Sequence, residues 1–297
     1  MPSAVPASHV DLDGAWPEDA IPGADRLDFR SWGPRLRFIT TDEEIEAFDL
    51  ELGDALAPFV LFGSGDFHHL SAIWLRRLNK PFILISFDNH PDWDRRPPRW
   101  GCGGWINRAL EDLELREAAV WGCGNFELNL PHRLFGNRSA TASGRLKLFA
   151  WAESLKPGAP AVPLTRENWR DEFLSFLGPR SGVATYVTVD LDCLRASEAV
   201  TNWENGLFES DDVAWAIGEV RARTQLIGGD VCGAYSEPRY ARFGQRLAAG
   251  FDRPKMKPPG EAAREVNLRS LRKIWSALTG GDQQHAADDQ QHADRQA

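Results

Sequence analysis

The chain has few cysteines, fewer basic than acidic residues and no long apolar run, and each shortage removes a class of protein. The four cysteines, Cys102, Cys123, Cys193 and Cys232, include no Cys-x-x-Cys pair, so a zinc knuckle or a dense disulfide frame is not expected and reduced thiols in the cytosol are. The formal net charge of −9 argues against a nucleic-acid partner and suits a cation or a cationic substrate. No uninterrupted stretch of about 20 apolar residues is present, so no membrane span is expected. Met1 to Pro17 carries His9, Asp11 and Asp13 where a secretory leader needs an apolar centre, which points to a cytoplasmic protein. Internal repeats and linkers are also lacking. What is abundant is tryptophan, 12 in 297 residues, and some of these are expected to line a pocket or contact surface.

Strand-like and helix-like segments alternate throughout. Strands are expected near Leu36–Thr40, Phe59–Phe62, Phe82–Phe87, Ala118–Trp121, Leu146–Trp151, Val183–Val189 and Leu226–Cys232. Helices are expected over Asp42–Leu52, Leu70–Leu78 with Asp66 as its cap, Ile106–Glu117, Trp169–Leu177, Ser210–Arg221 and Glu261–Leu278. Residues 1 to about 30 read as irregular surface. One α/β domain over residues 1–279 follows, with a mostly parallel sheet. Residues 280–297 form a polar tail whose His285 and His292 read as solvated.

The organising stretch is Phe82-Ile-Leu-Ile-Ser-Phe-Asp-Asn-His-Pro-Asp-Trp-Asp94. Its apolar half reads as a strand buried on both faces. Period-two spacing would then put Asp88, His90 and Asp92 on one side of the chain. Two carboxylates and an imidazole gain little by packing together unless a cation lies between them. Two further strand ends carry Gly65-Asp-Phe-His-His69 and Asp190-Leu-Asp192. A parallel sheet delivers all three ends to one edge, where they would suit a pair of divalent ions, Mn²⁺ best.

This set, in this order, resembles the arginase/agmatinase-like ureohydrolases, with their Gly-Gly-Asp-His-Ser, Asp-x-His-x-Asp and Ser-x-Asp-x-Asp-x-x-Asp-Pro motifs. The resemblance spans roughly residues 58 to 238. It takes in Thr201–Leu207, like the family's Thr-Gly-Thr-Pro-x-x-Gly-Gly-Leu loop, and Ile227–Asp230, like its late strand. It implies a three-layer α/β/α fold, two Mn²⁺ ions per chain, and hydrolysis of a guanidinium or related C–N bond. By motif position Asp88 and Asp190 would bridge the ions. His90 and Asp192 would hold one ion, and Asp92 with His68 or His69 the other, His68 being preferred. Such a centre brings a bound water's pKa toward neutrality, and Asp92 would orient that water.

Three departures shape the expected chemistry. Gly233 stands where the family has a guanidinium-binding Glu, leaving Glu237 to reach back. The family's proton-shuttle His-Gly is replaced by Cys102-Gly103-Gly104-Trp105, leaving His132 as candidate shuttle. Asp94 stands where arginases have an Asn that contacts the substrate's α-carboxylate, and would repel a free amino acid. Asn125 and Glu127 occupy the loop that touches the α-amino end. The motifs look closest to the divergent branch that includes peptide arginases, which convert arginine residues in peptides to ornithine and urea. The expected partner is therefore an arginine-containing peptide gripped by exposed Trp, or a small guanidino or amide substrate, with a homo-oligomer possible. An amide or formamide hydrolase, or a binding protein that has lost catalysis, are the alternatives.

Overall fold

The computed structural model describes residues 5–254, 259–260 and 262–281. His285, His292 and nearly all of the expected tail lie outside the described residues. Among the described residues eleven strands form: β1 (Ala7–Asp11), β2 (Asp25–Asp28), β3 (Ile39–Thr40), β4 (Phe59–Phe62), β5 (Phe82–Phe87), β6 (Trp100–Gly101), β7 (Leu115–Cys123), β8 (Leu146–Trp151), β9 (Val162–Leu164), β10 (Ala184–Asp190) and β11 (Gln225–Cys232). Nine of them make one sheet in the order β2-β1-β4-β11-β10-β5-β7-β8-β9, and every neighbouring pair is parallel. The remaining two, β3 and β6, pair antiparallel beside it.

The helices are α1 (Gly33–Leu36), α2 (Asp42–Leu52), α3 (Ser71–Leu75), α4 (Trp105–Ala109), α5 (Arg138–Ala142), α6 (Trp169–Leu177), α7 (Ser210–Arg223), α8 (Phe243–Asp252) and α9 (Ala262–Thr279). Two cores flank the sheet. Val60, Phe62, Leu84 and Tyr186 pack with Phe48, Trp74 and Ile106 on one face. Leu61, Ile85, Val187 and Val189 pack with Phe173, Ile217 and Ile274 on the other. Successive residues of one strand thus enter opposite cores, which is why the central strands are apolar without alternation. The result is a three-layer α/β/α fold, as the sequence implies.

Several expected elements differ. The first 30 residues supply two sheet strands, β1 and β2, whose Asp11 takes both Arg26 and Arg30 (2.7 and 2.8 Å). The helix expected to run to Glu117 ends at Ala109, because Leu115 and Glu117 pair with Phe82 and Ile83 at the start of β7. Gly65–Leu70 is a 3₁₀ turn, and α3 begins only at Ser71. Asp66 caps no helix. Its buried carboxylate holds Arg37 at 3.1 Å, Arg253, and the Trp203 indole N–H at 3.2 Å. No tryptophan is among the exposed large hydrophobic residues described, so none serves as an external grip. None of the described helices is long and apolar enough to cross a membrane.

Candidate metal centre

Five adjacent strands, β4, β11, β10, β5 and β7, send their carboxyl ends to one edge, about 4.8 Å apart. After β4 the 3₁₀ turn carries His68. After β5 come Asp88, His90 and Asp92. At the end of β10 stands Asp190, with Asp192 in the turn that follows. All six residues are buried.

The pleat does not align the Asp-x-His-x-Asp motif. β5 stops at Phe87, and the segment curls inward, with Asp92 in the left-handed region at φ 45°. A non-glycine residue costs about 1–3 kcal/mol there and is kept only when its surroundings hold it. The holding contacts are the Trp105 indole, which donates to Asp92 Oδ2 at 2.6 Å, and Ile106 N, which donates to the Asp92 carbonyl at 3.1 Å. The Asp88 Oδ1 accepts from His90 N at 2.6 Å, and Asp190 Oδ1 accepts from Asp192 N at 3.0 Å. Each loop is thereby folded onto its own carboxylate.

Of three overlapping donor groups among the described residues, two share Asp88: His68, Asp88 and Asp92 form one and Asp88, His90 and Asp192 the other, with all donor atoms in a group within 4.8 Å of one another. Asp88 is common to both, the place a bridging ligand takes. His68 Nδ1 lies 3.0, 3.4 and 3.7 Å from oxygens of Asp88, Asp92 and Asp190, yet it makes no aligned hydrogen bond. It points into the space between the carboxylates rather than at any one of them. The adjoining cavity has about 30 Å³ of free volume, room for about two water-sized occupants.

The electrostatics give the same result. Burial, and then repulsion from Asp88, push Asp192 up to about 7 and Asp92 well above the usual carboxylate range. Burial and the charge of Asp192 do the same to Asp190. For Asp88, burial is outweighed by His68 and His90, and its pKa is lowered. Burial also works against charge on both histidines, but their carboxylate neighbours raise them well above the usual value. Four carboxylates and two imidazoles this close fit divalent cations by donor type and by charge.

A buried chain behind His68 fixes its tautomer. His68 Nε2 donates to Thr188 Oγ1 at 2.9 Å, Thr188 donates to Asp230 Oδ1 at 2.5 Å, and Asp230 also accepts from Tyr186 and Ser71 (2.9 and 3.2 Å). When a bound cation displaces the second proton, the one retained on Nε2 leaves the Nδ1 lone pair facing the carboxylates. Thr188→Val is expected to lower divalent-metal affinity about 10–100-fold with the fold intact, measured by calorimetric titration of the metal-free protein.

His69, the other metal candidate, is not part of the cluster. It is fully buried, and neither ring nitrogen has a partner. Burial takes its pKa down to about 3, so it is a neutral core residue. The phase of the 3₁₀ turn decides which of two adjacent histidines faces inward, and composition alone gives no sign of it. Glu237 also lies elsewhere. It is exposed and lines a separate cleft with Asp13, Arg30 and Arg37, too far along the chain after β11 to reach back. Asn125 faces neither cavity, because its Oδ1 caps the following turn by accepting from Glu127 N at 3.1 Å.

The metal cavity is also lined by Glu127, Asp252, Cys102 and Trp203. It abuts a second cavity that shares Glu127 and Asp252 and adds Asp94, Arg96, Phe126 and His132. The His132 ring packs on Phe126 at 4.5 Å, in this outer cavity rather than beside the ions' place. Asp94 is not a free anion there, since Arg96 binds it through Nε at 2.8 Å and through Nη2. Burial pushes Glu127 up to about 7. Thr188, Asp252 and Cys232 are site residues that no motif marked, while Asp230 was marked only as the end of the late strand and Trp105 only as part of the loop that begins at Cys102.

These shifts set a pH dependence for the metal-free protein. Asp192 and Glu127 hold their protons to about 7 when folded but release them near 4 when unfolded. Across that window the unfolded chain binds fewer protons, so stability falls as pH rises. The chelated protein is expected to melt at lower temperature at pH 8 than at pH 5, and divalent metal should reverse the loss, as read by thermal unfolding.

No protein-family model matches the chain. An uncharacterized protein of Thermotoga maritima is 26% identical over 198 residues, covering 67% of this chain and 66% of the relative, just under two thirds of its length. Among solved structures, an arginase from Medicago truncatula superposes with TM-score 0.54 at 15% identity, over 93% of this chain and 88% of that one. A Trypanosoma cruzi formiminoglutamase solved with Mn²⁺ gives 0.55 at 11% identity, over 93% of each. At such identity the likeness is one of fold: the chain has the arginase-like α/β/α architecture.

Proposed function

We propose that this protein is a binuclear Mn²⁺-dependent hydrolase that cleaves the guanidinium C–N bond of arginine residues within peptides, giving ornithine and urea. The observation that carries the reading is His68 Nδ1, buried and without a hydrogen-bond partner among Asp88, Asp92 and Asp190, at the same sheet edge as the donor group His90, Asp88 and Asp192. Bound there, two divalent ions supply Lewis acidity and a water nucleophile at neutral pH.

The chain's own residues supply the rest. The metal cavity and its mouth present Glu127, Asp252 and the four aspartates, which select a cation. Asp92 has one oxygen engaged by Trp105, so Oδ1 is left to take a proton from the attacking water and return it to the departing amine. Water adds its oxygen to the guanidinium carbon, the bond to the side-chain nitrogen breaks, and urea and a primary amine leave. In the outer cavity His132 can pass protons to solvent.

The preference for peptides rests on a different feature from the one the sequence suggested. Because Arg96 neutralises Asp94, repulsion of a free α-carboxylate is weak. What favours a peptide is exposed apolar surface at and beside the outer cavity, which a free amino acid could not use: Phe126 lines it, exposed Phe135 lies under its Arg96 at 4.4 Å, and exposed Leu130 and Leu134 line a separate cleft nearby in the chain. The guanidinium partner we assign is Glu127, one of two acids, with Asp252, that face both cavities.

The test is urea release by the Mn²⁺-loaded protein from end-blocked arginine peptides, free arginine and agmatine. Release from peptides is expected. Fast release from free arginine alone would sink the peptide assignment, and ammonia or carboxylate without urea would point to an amide or formamide hydrolase. Glu127→Gln is expected to raise KM about 10–100-fold, the worth of a charge-assisted hydrogen bond, with kcat little changed.

A further inference from the structure

Cys232 is the one cysteine that joins a donor group among the described residues, with His68 and Asp190. It ends β11 directly opposite Asp190 in the β10–β11 register, so the sheet itself fixes the approach. Its Sγ lies 3.6 Å from Asp190 Oδ2, and His68 Nδ1 lies 3.7 Å from the same oxygen. Donors about 2.0–2.3 Å from one tetrahedral ion are separated by roughly 3.3–3.8 Å. Both measured separations are edges of such a site. The thiol is fully buried, and the unpartnered His68 Nδ1 is aimed into the same space.

We propose that Cys232 is a metal ligand, adding a thiolate to the ion held by His68 and Asp190 and biasing that position toward Zn²⁺, Co²⁺ or Fe²⁺. The proposal rests on the binuclear reading above and deepens it. The His90 position has one nitrogen and otherwise carboxylate oxygen, a set that suits Mn²⁺. The His68 position gains sulfur, and imidazole with thiolate suits the later, softer metals. The two positions are therefore chemically unequal, and the centre takes different metals at the two. On coordination the thiol proton leaves to solvent, so filling this position releases one proton more than a serine in its place would.

The experiment is Co²⁺ titration of the reduced, chelator-treated full chain, followed by absorption spectroscopy and metal analysis. A sulfur-to-cobalt charge-transfer band in the near ultraviolet is expected, saturating with one of two ions. It should persist in Cys102→Ser, whose thiol lines the metal cavity. It should vanish in Cys232→Ser while Co²⁺ stays bound, its affinity at that position falling at least about tenfold and Mn²⁺ affinity changing little. The wild-type band alone is diagnostic, should the variant fail to fold. Two bound Co²⁺ with visible ligand-field bands but no charge-transfer band would overturn the proposal and leave the metal centre standing, with Cys232 merely donating its S–H to Asp190. No Co²⁺ bound at all would overturn the binuclear reading, and this proposal with it.

Discussion

Asp190→Asn is expected to leave fewer than two ions per chain and to cut kcat by about 10³-fold or more, beyond the roughly 10–100-fold typical of changes outside the ligand shell. The Asp190 carboxylate is 3% exposed, faces His68 and Cys232, and is clasped by the backbone N–H of Asp192. No other acid can take its place, because Gly65 and Gly233 pack against it so closely that a Cβ on either would come within 2.5 and 2.2 Å of its oxygens. The isosteric amide keeps the shape and loses the charge. Without metal, the effect reverses sign: one fewer charge in a repelling cluster should make metal-free Asp190→Asn melt higher than metal-free wild type at pH 8. Metal analysis, urea assay and paired melting curves separate these effects. An Asn variant holding two ions, or no more stable than wild type when metal-free, would contradict the role given to this residue.

Gly233→Ala is expected to do comparable damage through the backbone. Gly233 has φ 105°, and its Cβ would meet Asp190 Oδ1 at 2.2 Å and Leu191 N at 2.5 Å. The dihedral costs about 1–3 kcal/mol in an L-residue, and displacing packed neighbours costs about 1–3 kcal/mol more. A melting temperature lower by on the order of 10 °C follows, with loss of metal because Asp190 must move. Gly218→Ala is the control. It lies in α7, with nothing within 4 Å of the added methyl, and should gain about 0.5–1 kcal/mol. The same crowding leaves no room for a Glu at 233 beneath Asp190, so in the proposed reaction the acid that meets the guanidinium comes from another loop, where Glu127 stands.

The parallel sheet was legible in the sequence, and so were most of the acids and imidazoles gathered at its edge, because both are local patterns. An apolar run that turns abruptly to Asp-x-His-x-Asp records a doubly buried strand and what waits at its end. The strands β1 and β2 were not legible, since they lie among Pro, Asp and Gly and gain their order by pairing alongside β4. Asp94 read as a free anion because its neutralising Arg96 sits two residues away in a loop whose curl the sequence does not state.

The sequence by itself determined the strands that lead to the site, β4, β5 and β10, and the residue types at their ends, donors of the kind that suit a centre for hard or borderline divalent ions. Tertiary structure alone decided which histidine faces that centre, that Asp92 enters it through a left-handed turn held by Trp105, that Cys232 stands within reach, and that Glu237 does not. The reason is physical. Donor chemistry belongs to each side chain, but convergence depends on turn phase, strand register and the few ångströms that separate neighbours far apart in the chain.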